Sequence, residues 1–245
     1  MAMAAKRSHE DASGLSLCPF ETDMLGIPTA SLDAACALAS GPLETTLEMA
    51  RREGIKLVTC RCPASDRGAI NALQDCGFRV IECLLSLGRR LDVPAERSAR
   101  VRLACRDDAE AVAQIGASTF RFDRFHADAR VSDQAADRLK GAWARNAVEG
   151  RADAVFVAED DGRIAGFNAC LLRENAVIDL IGVAKDMQGK GIGRDLVRTS
   201  LSYYAGKAAR MIVGTQSANH ASLALYQSAG FRVDNSAFTL HLHLN

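Results

Sequence analysis

The chain has 245 residues, 48% of them hydrophobic, with 30 basic and 30 acidic side chains. A chain this long removes roughly 70% of its unfolded surface from water on folding, which suits one large core or two small ones. The even charge balance excludes a global pull toward nucleic acid or an anionic membrane, and leaves only local basic groups to hold a phosphorylated small molecule.

Residues 1–14 turn acidic before any apolar run develops, so they are expected to be a disordered terminus rather than a signal peptide. No run of about 18 apolar residues occurs, so no transmembrane helix and no membrane partner are expected, and a cytoplasmic location follows. The eight cysteines sit mostly among apolar neighbours, as in Leu57-Val-Thr-Cys60. They read as buried thiols, and the Cys60-Arg-Cys62 spacing is not that of a redox or zinc pair.

In the first part, Pro42–Glu53 has helical spacing and Ile55–Cys60 is an apolar strand. Ala69–Cys76 is a helix stopped by Gly77, and Phe78–Ile81 and Cys83–Leu87 are strand-like. The run Arg89–Arg100 is charged, carries Pro94 and separates two apolar patterns. It reads as an interdomain linker, dividing the chain into 15–98 and 99–245. In the second part, Val101–Cys105 alternates as a strand and Asp107 and Asp108 open a helix that runs to about Phe120. Phe120–Asp128 mixes aromatic and charged residues as a loop, and Ser132 caps a helix reaching about Val148. Ala154–Glu159 and Ile164–Leu172 flank an Asp-Gly turn and form a hairpin, followed by the strand Ala176–Val183. Gly191 to about Ala205 is helical, Arg210–Thr215 is a strand, and His220–Ala229 is a helix ended by Gly230. Phe231–Val233 and Phe238–Leu244 close the chain as two strands. This order describes an α/β layer fold with a mixed sheet. The alternation Leu240-His-Leu-His-Leu244 puts two histidines on one face, expected to be solvated because no third metal ligand is spaced nearby.

An internal repeat is visible. Aligned without a gap, Asp66-Arg-Gly-Ala-Ile-Asn-Ala-Leu-Gln-Asp-Cys-Gly-Phe-Arg-Val80 lies over Asn219-His-Ala-Ser-Leu-Ala-Leu-Tyr-Gln-Ser-Ala-Gly-Phe-Arg-Val233, with Gln, Gly, Phe, Arg and Val coinciding. Tyr226 stands opposite Leu73, and the first copy has no glycine-rich turn.

That turn, Gln188-Gly-Lys-Gly-Ile-Gly-Arg194, lies between a strand and a helix. Glycines let a phosphate approach bare backbone, and the unpaired amides of the next helix complete an anion site. Lys190 and Arg194 add positive charge. Gly189, Gly191 and Gly193 do not make G-x-G-x-x-G, because the next position needed is Asp195 or Leu196, and no G-K-[ST] follows for a P-loop.

With its flanks, Leu180–Val197 resembles the cofactor motif of the GCN5-related N-acetyltransferase superfamily: Q/R-x-x-G-x-G/A after a strand ending in valine, here Val183, Gln188, Gly191 and Gly193. Asn219–Val233 resembles the same superfamily's C-terminal motif, with Asn219, Tyr226, Gly230 and Phe231 matching. The whole chain is similar to the sugar-nucleotide amine acetyltransferases, in which a degenerate acetyltransferase-like lobe precedes the catalytic one; Phe20–Asp33 and Asp123–Asp128 carry that likeness, with Asp123 where the subgroup has serine. The resemblance implies a mixed-sheet acyl-CoA N-acyltransferase fold and acetyl-CoA as donor. It implies a cofactor site formed by Gly182, Val183, Gln188, Gly189, Lys190, Gly191, Ile192, Gly193, Arg194, Asn219 and Tyr226. It also implies direct transfer to an amine, with Tyr226 as the general acid toward the departing thiolate.

Asp179 is the expected general base, with Glu174, His126 and a water relay as alternatives, and His126 and Asp128 stand in the loop expected to border the acceptor. The acceptor expected is a small-molecule amine, most of all an amino sugar on a nucleotide. A protein or peptide amine and a non-catalytic acyl-CoA-binding role are the competing readings. A two-fold dimer is a plausible assembly.

Overall fold

The protein is described by a computed structural model covering residues 14–35, 38, 43–92 and 96–245. The expectations for residues 1–13, Cys36, Pro42 and Pro94 fall outside the described residues. Two compact units emerge: the chain up to Cys83 together with Ser236–Asn245, and Leu84–Asn235.

The first unit carries β1 (Leu15–Leu17), α1 (Pro19–Leu25), β2 (Thr29–Leu32), α2 (Leu43–Arg52), β3 (Leu57–Pro63) and α3 (Arg67–Asp75). β1 pairs antiparallel with β2, β2 parallel with β3, and β3 antiparallel with the end of the chain, Leu57 opposite His243 and Pro63 opposite Ala237. Its core gathers Leu32, Leu47, Val58, Leu73, Phe78, Leu240 and Leu242 around the thiols of Cys60 and Cys62. Burial pushes the Cys60 thiol up to about 12, as expected of a core thiol. All seven described cysteines are free. His241 is buried at 2% exposure, so the strand face opposite the leucines is not the solvated one that alternation predicts.

The second unit carries a mixed sheet in the order β4 (Arg79–Arg90), β9 (Arg210–Gln216), β8 (Ala176–Val183), β7 (Arg163–Leu172), β6 (Ala154–Asp160), β5 (Val101–Leu103). β8 and β9 run parallel and the other neighbours antiparallel. Helices α4 (Ala109–Thr119) and α5 (Asp133–Asn146) cover one face through Val112, Ile115 and Ala144. Helices α6 (Ile192–Tyr204) and α7 (His220–Ser228) cover the other through Leu196, Leu201 and Tyr226. α6 is the crossover that two parallel neighbours require. Ser132 caps α5 by accepting from Ala135 N at 3.3 Å, and the β6–β7 turn places Asp161 and Gly162 at φ 48° and 75°, the conformation an Asp-Gly hairpin needs.

Two expectations change. The compact units divide between Cys83 and Leu84, within β4, and not at the charged run 89–100. Leu84–Arg90 belongs with the second unit because it pairs with β9 residue by residue, Leu84 opposite Gln216 through Arg90 opposite Arg210. The closing segments read as strand pairs are single 12-residue strands, β4 and β10 (Arg232–His243). The polar residues Glu82 and Asp234-Asn-Ser236 interrupt the hydrophobic pattern without breaking the backbone.

The repeat is also a repeat of backbone. Asp66 and Asn219 cap their helices at φ/ψ −86°/77° and −86°/70°, each accepting from the amide three residues on. The C-cap residues Cys76 and Ala229 stand at −81°/6° and −85°/7°, followed by left-handed Gly77 and Gly230, then Phe78 and Phe231 at 2% exposure, then a 12-residue strand.

Candidate functional site

The site begins with a failure of strand pairing. β8 and β9 pair only through Ala176, Val177 and Ile178, opposite Met211, Ile212 and Val213. Beyond Ile178 they part. On its other edge β8 stays on β7, but Ala169 and Cys170 face Leu180 and Ile178, leaving Asp179 as the extra residue of a bulge. A bulge bends the strand and increases its local twist, here where β8 leaves β9. The peptide groups of the later β8 residues that point toward β9 therefore have no strand partner there. A cavity of about 1150 Å³ opens in the gap, lined on one side by Ile178–Val183 and on the other by Val213–Gln216.

One end of the cavity is the glycine-rich turn. A short 3-10 turn, Lys185–Met187, follows β8, and the Gln188 side chain folds back to donate to Val183 O at 3.2 Å. Gly191 is the N-cap of α6 at φ 79°, in the left-handed region. A side chain there would be strained, and its Cβ would also lie 3.3 Å from an Arg194 nitrogen. Through this turn the first amides of α6, unpaired within the helix, open on the cavity. Arg100 holds the turn from outside, with Nε on Asp195 Oδ2 at 2.5 Å and a terminal nitrogen on Lys190 O at 3.2 Å. Gly182 lies in the wall because α4 packs there: a Cβ would meet Phe167 Cε1 at 2.9 Å and Thr119 Oγ1 at 3.0 Å.

Helix α7 forms the side wall. Asn219 caps it, accepting from Ser222 N at 3.2 Å, and lines the cavity. Tyr226 is 2% exposed, stands edge-on to Phe231 with centroids 5.7 Å apart, and also lines the cavity. Burial pushes its phenol above the ordinary tyrosine value, so it holds its proton at neutral pH. Among the described residues none hydrogen-bonds its hydroxyl.

The other end is walled by Thr119–Asp123 and Lys140. Asp123 is 7% exposed; its Oδ2 lies 2.5 Å from His126 Nδ1, its Oδ1 accepts from Phe125 N at 3.1 Å, and Lys140 Nζ is 3.6 Å away. His126 Nε2 lies 3.0 Å from Asp137 Oδ1, to which Arg121 also donates at 2.5 Å. Burial works against both charges, but the partners win: Asp123 falls to about 2, through His126 and Lys140, and His126 rises, through Asp123 and Asp137. A histidine raised on folding stabilises the fold fully below its ordinary value, near 6.5, and loses that contribution as pH climbs through the raised one. A depressed aspartate contributes above its ordinary 3.8 and loses it as pH falls toward about 2. Thermal unfolding followed against pH is therefore expected to show a decline on the alkaline side that is absent from a His126→Phe variant. An identical alkaline slope in both would remove His126 as its source.

The sequence-designated residues Gly182, Val183, Gln188–Arg194, Asn219, Tyr226 and Asp179 all line this one cavity. Asp179 is ion-paired with Arg151. Glu174 is exposed in the β7–β8 turn, and neither it nor His126 nor Asp128 lines the cavity. Both His126 nitrogens face carboxylates, which leaves no lone pair for a base. Sequence reasoning missed Arg100, read as linker, and Lys140 and Lys185. Arg100 carries no local signal, because its partner Asp195 lies far along the chain. Seven charged residues line the cavity: Arg121, Lys140, Lys185, Lys190 and Arg194 against Asp123 and Asp179. Asp123 is matched by Lys140, Asp179 by Arg151 and Arg121 by Asp137, so among the described residues the unmatched charge is that of Lys185, Lys190 and Arg194, at and just before the glycine-rich turn.

The profile of the acetyltransferase (GNAT) family matches residues 110–231. A dTDP-fucosamine acetyltransferase of Escherichia coli O6:H1 is 31% identical over 188 residues, 75% of this chain and 80% of that protein. The spore coat polysaccharide biosynthesis protein SpsD of Bacillus subtilis is 28% identical over 137 residues, 55% of this chain and 47% of that one, so the match spans about half its length. The crystal structure of a GCN5-related N-acetyltransferase from Sphaerobacter thermophilus superposes with a TM-score of 0.64 at 16% identity, over 94% of this chain and 76% of that one.

Proposed function

Because this chain belongs to the GNAT acetyltransferase family and is an acetyl-CoA-dependent N-acetyltransferase, we propose that its acceptor is the primary amine of an amino sugar carried on a nucleotide. The observation that supports the choice of acceptor is that the cavity offers no unpaired acid to hold a polycation: Asp123 is matched by Lys140 and Asp179 by Arg151. Such a wall disfavours a polyamine or a basic peptide. The names of two relatives, a fucosamine acetyltransferase and a polysaccharide biosynthesis protein, point the same way.

The residues fit the donor. Unpaired peptide edges of β8 and β9 can take the amide groups of an extended arm, and the turn from Gln188 to Arg194 can take a pyrophosphate on backbone amides, with Lys190 and Arg194 beside it. Asn219 stands on the side wall, where its amide nitrogen can meet the same arm. Acetyl-CoA supplies the acetyl thioester, and the acceptor amine displaces coenzyme A as thiolate. Holding both reactants in one cavity replaces a bimolecular encounter by a positioned one. Tyr226 gives its proton to the departing sulfur; burial keeps the phenol protonated until the thiolate forms beside it. Asp179, at the bulge, takes the proton of the attacking amine, directly or through water; its ion pair with Arg151 orients it. The first unit is a degenerate lobe of the same kind, a relation supported by the matching caps of α3 and α7; having leucine at position 73 and no glycine-rich turn, it carries no second site.

Initial rates of coenzyme A release test the acceptor. Turnover is expected with dTDP-fucosamine and not with spermidine or a lysine-containing peptide; the reverse order would reject it.

A further inference from the structure

We propose that His126 is a positioning residue: by bridging Asp123 and Asp137 it holds the cavity wall Phe120–Asp123, taken here as the acceptor's side, in one place. The proposal rests on the acetyl-transfer reading for the word acceptor, and on geometry alone for the bridge. The segment leaves the end of α4 and is itself neither helix nor strand. What fixes it is a chain of charges. Asp137 sits on the second turn of α5 and its Oδ1 receives both His126 Nε2 at 3.0 Å and Arg121 at 2.5 Å. The two nitrogens lie 3.1 Å apart because they converge on that one oxygen, not because either accepts from the other. The far side of the imidazole meets Asp123 at 2.5 Å, and Lys140, also on α5, faces Asp123 at 3.6 Å. The imidazole side chain is 2% exposed. Arg121 and Asp123 are thus both tied to α5, one on each side of Phe122.

Phe122 is 46% exposed and lines the cavity. A large apolar ring held at a cavity mouth by charges on either side is a platform for the flat face of a sugar or base ring. A small error in its position is costly, since misplacement by about 1 Å can lose on the order of 100-fold in rate.

The test uses the full chain with three variants. Asp137→Asn removes the charge from the far end of the bridge at a half-exposed position, Asp137→Glu keeps it, and His126→Phe removes the bridge. With dTDP-fucosamine as acceptor, Asp137→Asn and His126→Phe are expected to raise the acceptor KM about tenfold or more while the KM for acetyl-CoA stays within about twofold, and Asp137→Glu to recover most of the loss. Amide hydrogen exchange, read without any acceptor, is expected to quicken in residues 120–127 of Asp137→Asn and not in residues 188–194. If the wild-type chain does not acetylate dTDP-fucosamine, the acceptor reading falls, and exchange alone decides the bridge. Unchanged exchange at 120–127, or an equal rise of both KM values, would overturn the proposal.

Discussion

Gly191→Val is expected to lower the affinity for acetyl-CoA by about 100-fold, with the chain still folded; the estimate combines about 1–3 kcal/mol of left-handed strain with displacement of the amides that face the ligand. Gly191 has φ 79° at the N-cap of α6, a conformation that a β-branched residue avoids. The added side chain also meets the Arg194 and Arg100 guanidinium groups that flank the turn. The backbone would therefore shift where the first amides of the helix open on the cavity. Isothermal titration with acetyl-CoA reads the effect, and circular dichroism checks the fold. Retained affinity in a folded variant would mean that the turn does not hold the pyrophosphate.

Tyr226→Phe is expected to reduce kcat by about 100-fold or more, in the range general acid catalysis contributes, with the acetyl-CoA affinity nearly unchanged. The two parts of the effect separate because the tyrosine ring and its hydroxyl do different things. The ring packs on Phe231 in the core of the second unit, and phenylalanine keeps that packing. The hydroxyl has no hydrogen-bond partner among the described residues, so its removal leaves no buried group unsatisfied and stability changes little. A rate equal to wild type would assign the proton to water or to another residue.

Much of this was legible in the sequence, for identifiable reasons. The second unit announces itself because its signals are local: an Asp-Gly turn between two alternating runs, Ser132 ahead of a helical pattern, and Gly230 behind one. The cavity residues were legible because the turn and the Asn219–Tyr226 helix each occupy a short stretch. What was not legible depends on contacts between distant positions. Cys83–Leu87 reads as a strand, but Arg89 and Arg90 read as the start of a linker, because nothing in them reveals that β9 lies alongside. The parting of β8 from β9, which makes the cavity, appears in the sequence only as an acid, Asp179, in an apolar strand. His126 looked like a candidate base in a polar loop; its i, i+3 spacing from Asp123 hints at a contact, but the second carboxylate, Asp137, comes from α5 and only the fold brings it near.

The central claim is that acetyl passes from acetyl-CoA to the amine of a nucleotide-linked amino sugar in the cavity between β8 and β9. Identification of the product formed from carbon-13-labelled acetyl-CoA and dTDP-fucosamine, by mass spectrometry and NMR, tests it most directly. The expected product carries the labelled acetyl on the sugar nitrogen, in proportion to coenzyme A released, and does not form with Tyr226→Phe at a comparable rate. Labelled acetate in place of the amide, or an unmodified sugar beside an acetylated peptide or polyamine in competition, would contradict it.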